Sequence, residues 1–297
     1  MCPFFEIFLI QTTHMNICKT AIGLALLFSI TFNATTITAQ TGVNWKGVRV
    51  LVYTKNGKGY VHDNIPSAVS CIQTMGRQYG FKVDTSSNAS VMTEANLKQY
   101  ALLIFPSTNN DVFDTDIQRL AFRHYIEAGG GFVGLHSVTG TERNWKWFKM
   151  MLGGTFAWHA NFQKFTAKVI DPSNPSMAGL PKVWERNDEC YFAKELYPGP
   201  RVLAVHDITT LNTKDSAQRN LIAKNAGGYV DMYPSVWYYD YDGGHTWITV
   251  YGHDKKDYSD PVYVKHILQG IQYVASKVKA RDFKKAYADS RDTPIRY

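Results

Sequence analysis

Apolar and polar positions along this chain follow two alternating rhythms. Strand candidates lie at 48–54, 81–85, 101–106 and 132–136, and they alternate with helix candidates at 65–79, 93–99 and 115–128. In the last of these helices Ile117, Leu120, Ala121 and Tyr125 share one face. A chain that places a helix between successive strands builds parallel pairs. The alternation therefore predicts an α/β fold, a doubly wound, mostly parallel sheet with helices on both faces. Pro66 suits the first turn of its helix, where a missing N–H has no partner to lose. Further strands are predicted at 165–170, 201–207, 235–240 and 247–251. A final helix from Pro261 carries Val264, Ile267, Leu268, Ile271 and Val274 on one stripe. The polar stretch 209–233 reads as a long loop or flap.

The segment 129–137, GGGFVGLHS, is the most informative part of this pattern. The helix before it should stop at Gly129, where glycine takes the left-handed cap conformation without a steric penalty. Residues 132–135 are too short and too apolar for an exposed strand and are expected at the centre of the sheet. Ligands of such sheets bind at the carboxyl ends of strands, which is where His136 stands. A turn and a helical stretch at 144–152 follow, so Gly134-Leu135-His136-Ser137-Val138 has the strand-turn-helix context of a nucleophile elbow. Its central residue is histidine, which argues against a hydrolase with Ser or Cys at that point.

An apolar share of 45% is that of a globular protein, and one large domain, 40–280, accounts for the core. Residues 1–39 read as a signal peptide: Lys19 precedes the apolar run 21–30, and Ile37-Thr38-Ala39 offers a small-residue cleavage site before Gln40. Met15 makes a more natural start than Met1, because it leaves a short basic region ahead of that run. The run falls short of the ~20 residues that cross a bilayer, and no comparable run follows it. The chain is therefore expected to be exported, periplasmic or extracellular, with no membrane span after cleavage.

Net charge is +7, and the segment 277–297 holds seven Lys/Arg against three Asp. No nucleic-acid motif accompanies this charge, so 281–297 is read as a basic, frayed and solvated tail. Cys71 and Cys190 remain after cleavage. A disulfide is open to them in an oxidising compartment, but Cys71 on the apolar side of a helix favours two buried free thiols.

Histidines gather at predicted turns and strand ends: His62, His136, His159 and His253. Loops after the first and fourth strands of a parallel sheet open on one edge, so His62 and His136 can share a pocket. Imidazole titrates near neutral pH and, when neutral, binds transition metals. The plainer alternative for each is a loop-capping hydrogen bond, and His124, His206, His245 and His266 are read that way. Glu189, in Asp188-Glu189-Cys190-Tyr191, offers a carboxylate that can act as base, orient a histidine or complete a metal site. Most of the aromatic rings belong to the core. Trp145 and Trp158, beside polar turn residues, are the two expected to stack on a sugar.

These segments together resemble the ThuA-like (trehalose utilisation) family, whose domain has a flavodoxin-like fold of the class I glutamine amidotransferase type. The matches are Gly59-Tyr60-Val61-His62-Asp63-Asn64-Ile65-Pro66, the glycine block ending at His136, Leu152-Gly153-Gly154 followed by His159, Asp188-Glu189 with Tyr191, Pro234 with Trp237, and Gly252-His253 with Tyr258 and Asp260-Pro261. The chain departs from the family at Val61, where a basic residue is usual, at Ala160, where Pro is usual, and in the length of 209–233.

The resemblance implies a place in carbohydrate metabolism. It also places His136 where the amidotransferases carry their nucleophilic Cys, so glutaminase activity should be absent. The expected function is an exported enzyme acting on a keto-sugar or glycoside. His136 and His62 exchange protons with substrate, Glu189 assists, and Ser137, Trp145, Trp158, His159, Tyr191 and His253 bind it. Backbone N–H groups of Ser137 and Val138 are the expected oxyanion donors. One rival is a metal-dependent hydrolase with His62, His159 and His253 as ligands and Glu189 activating water, although no metal-binding spacing is present. The other is a non-catalytic carbohydrate-binding protein. The expected partner is a small-molecule carbohydrate and not nucleic acid. The sequence names no cofactor and leaves the sugar, any bound metal and the oligomeric state open.

Overall fold

The computed structural model describes residues 43–296, and the expected signal peptide at 1–39 lies outside them. The first half of the chain runs β1 (Arg49–Tyr53), α1 (Ile65–Tyr79), β2 (Lys82–Ser86), α2 (Glu94–Leu97), β3 (Leu102–Pro106), α3 (Asp116–Glu127), β4 (Gly131–Leu135) and α4 (Lys146–Leu152). The second half adds β5 (Gly154–His159), β6 (Gln163–Val169), β7 (Val183–Asp188), β8 (Tyr191–Leu196), β9 (Arg201–Asp207), α5 (Ser216–Ala226), β10 (Met232–Tyr241), β11 (Gly244–Thr249) and α6 (Pro261–Lys277).

Nine strands form one sheet in the order β2-β1-β3-β4-β11-β10-β9-β6-β7, while β5 and β8 pair separately. From β2 to β11 every pairing is parallel, in the order of a flavodoxin-like sheet. From β11 outward through β10, β9, β6 and β7 the pairings are antiparallel, so the expected parallel character belongs to the half that carries the site.

Both faces of the sheet are covered because side chains alternate along each strand. On one face Val50, Val52, Leu102, Ile104 and Val133 pack with Ala68, Ile72 and Met75 of α1 and Ile267, Ile271 and Val274 of α6. On the other, Leu51, Tyr53, Leu103, Phe105 and Phe132 pack with Phe122, Tyr125 and Ile126 of α3 and with Phe148 and Met151 of α4. The helix α3 begins with a capping box between Thr115 and Gln118 and yields to Gly129 at φ +92°, as its sequence predicts. Cys71 and Cys190 are both buried and unbonded. Among the described residues no helix is long and apolar enough to cross a membrane.

Two expectations are corrected. The stretch 209–233 contains α5, capped by the Asp215 side chain accepting from Ala217 N–H. Its apolar stripe is thin, with only Gln218, Ile222 and Ala226 buried, so the periodicity gives little warning of a helix. The C-terminal segment, expected to fray, lies along α3 instead. Arg123 donates to the carbonyls of Arg291 and Thr293, and Glu127 accepts from the Tyr287 and Ala288 N–H groups. Arg123 and Glu127 are enclosed in the interior, so they need polar partners there, and the tail's backbone supplies them.

Candidate functional site

Four parallel strands deliver polar residues to one edge. Tyr60 and His62 follow β1, Thr108 and Asn109 follow β3, His136 follows β4, and His253 follows β11. Glu189 comes from outside this set, at the corner where the chain leaves β7 in the large sheet and enters β8 in the small one. His159 ends β5, the partner of β8. Of these, Tyr60, His62, Asn109, His159, Glu189 and His253 line a pocket of about 350 Å³, a size within the usual range of small-molecule sites, and His136 and Thr108 lie buried behind its wall.

The backbone at His136 has φ +54°, a left-handed conformation uncommon outside glycine and better tolerated by His than by branched residues. Such a residue at a strand-to-helix turn is the geometry of an elbow. Gly134 makes the turn tight, since a Cβ there would lie 2.6 Å from Val138 Cγ1 and 2.8 Å from Ile248 Cδ1. Asp188 orders the opposite wall by accepting from the N–H groups of Gly252, His253 and Glu189. Gly252, at φ +112°, admits no side chain, because a Cβ would meet Tyr263 Oη at 2.0 Å.

The imidazoles are held in defined tautomers by what their outer nitrogens touch. His136 Nδ1 lies 3.2 Å from the Val250 carbonyl, which can only accept, so the ring proton sits there and Nε2 carries a lone pair. Ser137 Oγ donates to the Thr108 carbonyl and is 3.2 Å from His62 Nδ1, so it accepts from that nitrogen and leaves His62 Nε2 unprotonated. His136 Nε2 accepts from the Tyr191 hydroxyl at 3.2 Å and stands 3.3 Å from His253 Nδ1. Glu189 Oε2 is 3.1 Å from His253 Nδ1 and 3.7 Å from His136 Nε2, while its Oε1 is 3.5 Å from His159 Nδ1.

Burial, with the nearby charge of His253 adding to it, pushes His62 down to about 4. Burial, followed by neighbouring His62, holds His136 well below its ordinary value. Burial also opposes ionisation of Glu189, but the hydrogen bond from His253 and the neighbouring imidazoles outweigh it and lower its carboxyl. That same hydrogen bond raises His253. The hydrogen bond thus favours the charged forms of Glu189 and His253, while burial favours the neutral forms of His62 and His136.

Of the residues singled out from sequence, the structure brings together His62, His136, Ser137, Glu189, Tyr191, His159 and His253. Trp145 is not among them: it is wholly buried, stacks on Trp147 and Phe148, and donates its indole N–H to the Arg291 carbonyl. Trp158 also lies off the pocket. A register shift between Phe156 and Trp158 puts Phe156 and His159 in stacking contact, and Trp158 stacks on Phe192 instead. Val138 is buried in a core cluster, so Ser137 alone of the two expected oxyanion donors lines the pocket.

Sequence reasoning missed Asn109 and Arg143. Arg143 stacks over Phe156 and is fixed by the Gly140 carbonyl and Asn109 Oδ1. Asn109 could have been found, because it follows β3 on the same edge as His62 and His136.

An α/β protein with an imidazole in place of the elbow nucleophile, beside a histidine-and-carboxylate centre, is the class this fold and site define. The chain belongs to the ThuA family, whose model, described as trehalose utilisation, matches residues 49–274. A putative ThuA-like protein of Bacteroides uniformis is 22% identical, with a TM-score of 0.62 over 80% of this chain and 94% of its own. One from Parabacteroides merdae is 18% identical, with a TM-score of 0.60 over 79% and 92%. A cytoplasmic protein of Salmonella typhimurium is 13% identical, with a TM-score of 0.53 over 78% and 100%. At these identities the likeness is one of fold. No curated protein matches the sequence.

Proposed function

We propose that this pocket is the active site of an exported enzyme acting on a keto-sugar or glycoside by acid-base chemistry. The observation that carries the reading is the convergence of His62, His136, Glu189 and His253 within 4.8 Å of one another beneath an open pocket. The family's link to trehalose utilisation supports a carbohydrate as substrate. Tyr60, Phe156 and Tyr191 offer ring faces for sugar C–H groups, and Asn109, Arg143 and His159 offer hydrogen bonds to hydroxyls.

In this reading the part in proton exchange expected of His136 passes to His159, with Glu189 assisting as expected. His136 has no exposed surface and both of its ring nitrogens are engaged. His159 lines the pocket with 38% of its side chain exposed, and Glu189 steadies its Nδ1. A base removing the proton next to a ketone leaves its electron pair as an enolate, whose oxygen needs a donor. Arg143 and Ser137 stand on the pocket wall for that purpose.

Pure mature protein should turn over 3-keto-disaccharides, with binding measured in parallel. Binding without turnover would replace the enzyme by a carbohydrate-binding protein. The same preparation should release no ammonia from glutamine, because an imidazole at the elbow cannot form the thioester that chemistry requires. Ammonia release that disappears in His136→Ala would overturn that expectation. Export rests on residues 1–39, and mature protein recovered from the cell envelope or medium should begin at Gln40.

A further inference from the structure

We infer that His62, His136, His253 and Glu189 form the binding site of one divalent transition-metal ion of the zinc type. The inference rests on reading this pocket as the functional site, but not on which sugar it takes. A tetrahedral ion with bonds of about 2.0–2.1 Å to imidazole nitrogen and carboxylate oxygen sets its donor atoms about 3.3–3.4 Å apart. Glu189 Oε2, His253 Nδ1 and His136 Nε2 are separated by 3.1, 3.3 and 3.7 Å. One ligand atom from each of His62, His136, Glu189 and His253 lies within 4.8 Å of the others.

The tautomers point the same way. Metal-binding histidines usually give their other ring N–H to a carbonyl, a carboxylate or a water, which aims the free lone pair at the ion. His136 does this through the Val250 carbonyl, and His62 does it through Ser137, which is itself tied to the Thr108 carbonyl. An ion would take the place of two contacts, His253 to Glu189 and Tyr191 to His136.

His159 stays outside the donor set. Its Nδ1 faces the other oxygen of Glu189 and the Ala160 carbonyl, so this set differs from one built on His62, His159 and His253. Imidazole nitrogens with a single carboxylate favour zinc, iron, nickel or copper over magnesium or calcium. Such an ion beside Arg143 would polarise a substrate carbonyl.

The test uses full mature chain purified without a histidine tag and stripped with chelator. Zn²⁺ should bind at one ion per chain, by calorimetry, and raise the melting temperature. Co²⁺ should give the visible absorption of a nitrogen-coordinated ion at the same stoichiometry. Affinity should fall roughly 100-fold or more in His62→Asn and in Glu189→Gln, and by about 10-fold or less in His159→Asn, which touches Glu189 without giving a donor. Glu189→Gln carries the test if a buried histidine variant fails to fold.

Absence of saturable binding by wild type, or unchanged affinity in folded His62→Asn and Glu189→Gln, overturns the site. Loss in His159→Asn equal to that in His62→Asn overturns the donor set. Metal binding without sugar turnover upholds the site and sinks the substrate reading. Turnover by metal-free protein with no Zn²⁺ uptake does the reverse.

Discussion

His136→Asn should give a folded protein whose turnover, on the keto-disaccharide that wild type accepts, has fallen roughly 100-fold or more. Asparagine suits the position for two reasons. It is among the residues that tolerate the left-handed conformation of this elbow, and its amide can keep a hydrogen bond to the Val250 carbonyl. It cannot reach the place of His136 Nε2, so the Tyr191 hydroxyl and the His253–Glu189 pair lose the group that aligns them. The loss should fall on kcat, with KM changing by only a few-fold, because His136 has no surface in the pocket. A non-catalytic sugar-binding protein has no turnover to lose, and there the same change should leave affinity within a few-fold of wild type, because His136 does not reach the pocket. A melting temperature close to wild type together with full activity would remove His136 from the centre.

The parallel half of the fold was legible because its signals are local. Strands β1, β3 and β4 are short apolar runs bounded by turn residues, and α1 falls where the sequence places it, at 65–79. The pocket was legible for a related reason: the rule that loops open at carboxyl ends brings His62 and His136 together without knowledge of any contact. The antiparallel extension was less so. Strands β5, β7 and β8 were not expected, because β7 reads V-W-E-R-N-D and β8 ends in A-K-E-L, where charge masks the alternation.

Glu189 gained its place from that unpredicted corner between two sheets, so sequence could offer it only as a carboxylate near histidines. The two tryptophans show the converse failure. Polar neighbours in sequence suggested exposure, but the bulge in β5 and the packed C-terminal segment decide where Trp158 and Trp145 go. Spacing also failed to reveal the metal-like cluster, since its four donors come from four separate segments.

Replacing Arg123 by methionine should destabilise the protein by about 3–5 kcal/mol, the range for breaking a buried ion pair from one side. Arg123 has no exposed surface, and its Nε is 2.8 Å from Glu127 Oε1. It also faces Asp242 and donates to the carbonyls of Arg291 and Thr293. Methionine fills much of the same volume, so the cost comes from polar groups left without their cation rather than from a cavity.

Adding Glu127→Gln to Arg123→Met should restore about half of the loss. The amide removes the uncompensated charge and keeps a carbonyl oxygen for the Tyr287 and Ala288 N–H groups. A chain ending at Ala280 should be destabilised to a similar extent, because Arg123, Glu127 and Trp145 would all lose their backbone partners. Equilibrium denaturation of the three variants against wild type is the measurement. If Arg123→Met costs less than ~1 kcal/mol, or the truncation costs nothing, the C-terminal segment is the frayed tail its charge suggests, and the contacts with α3 contribute little to stability.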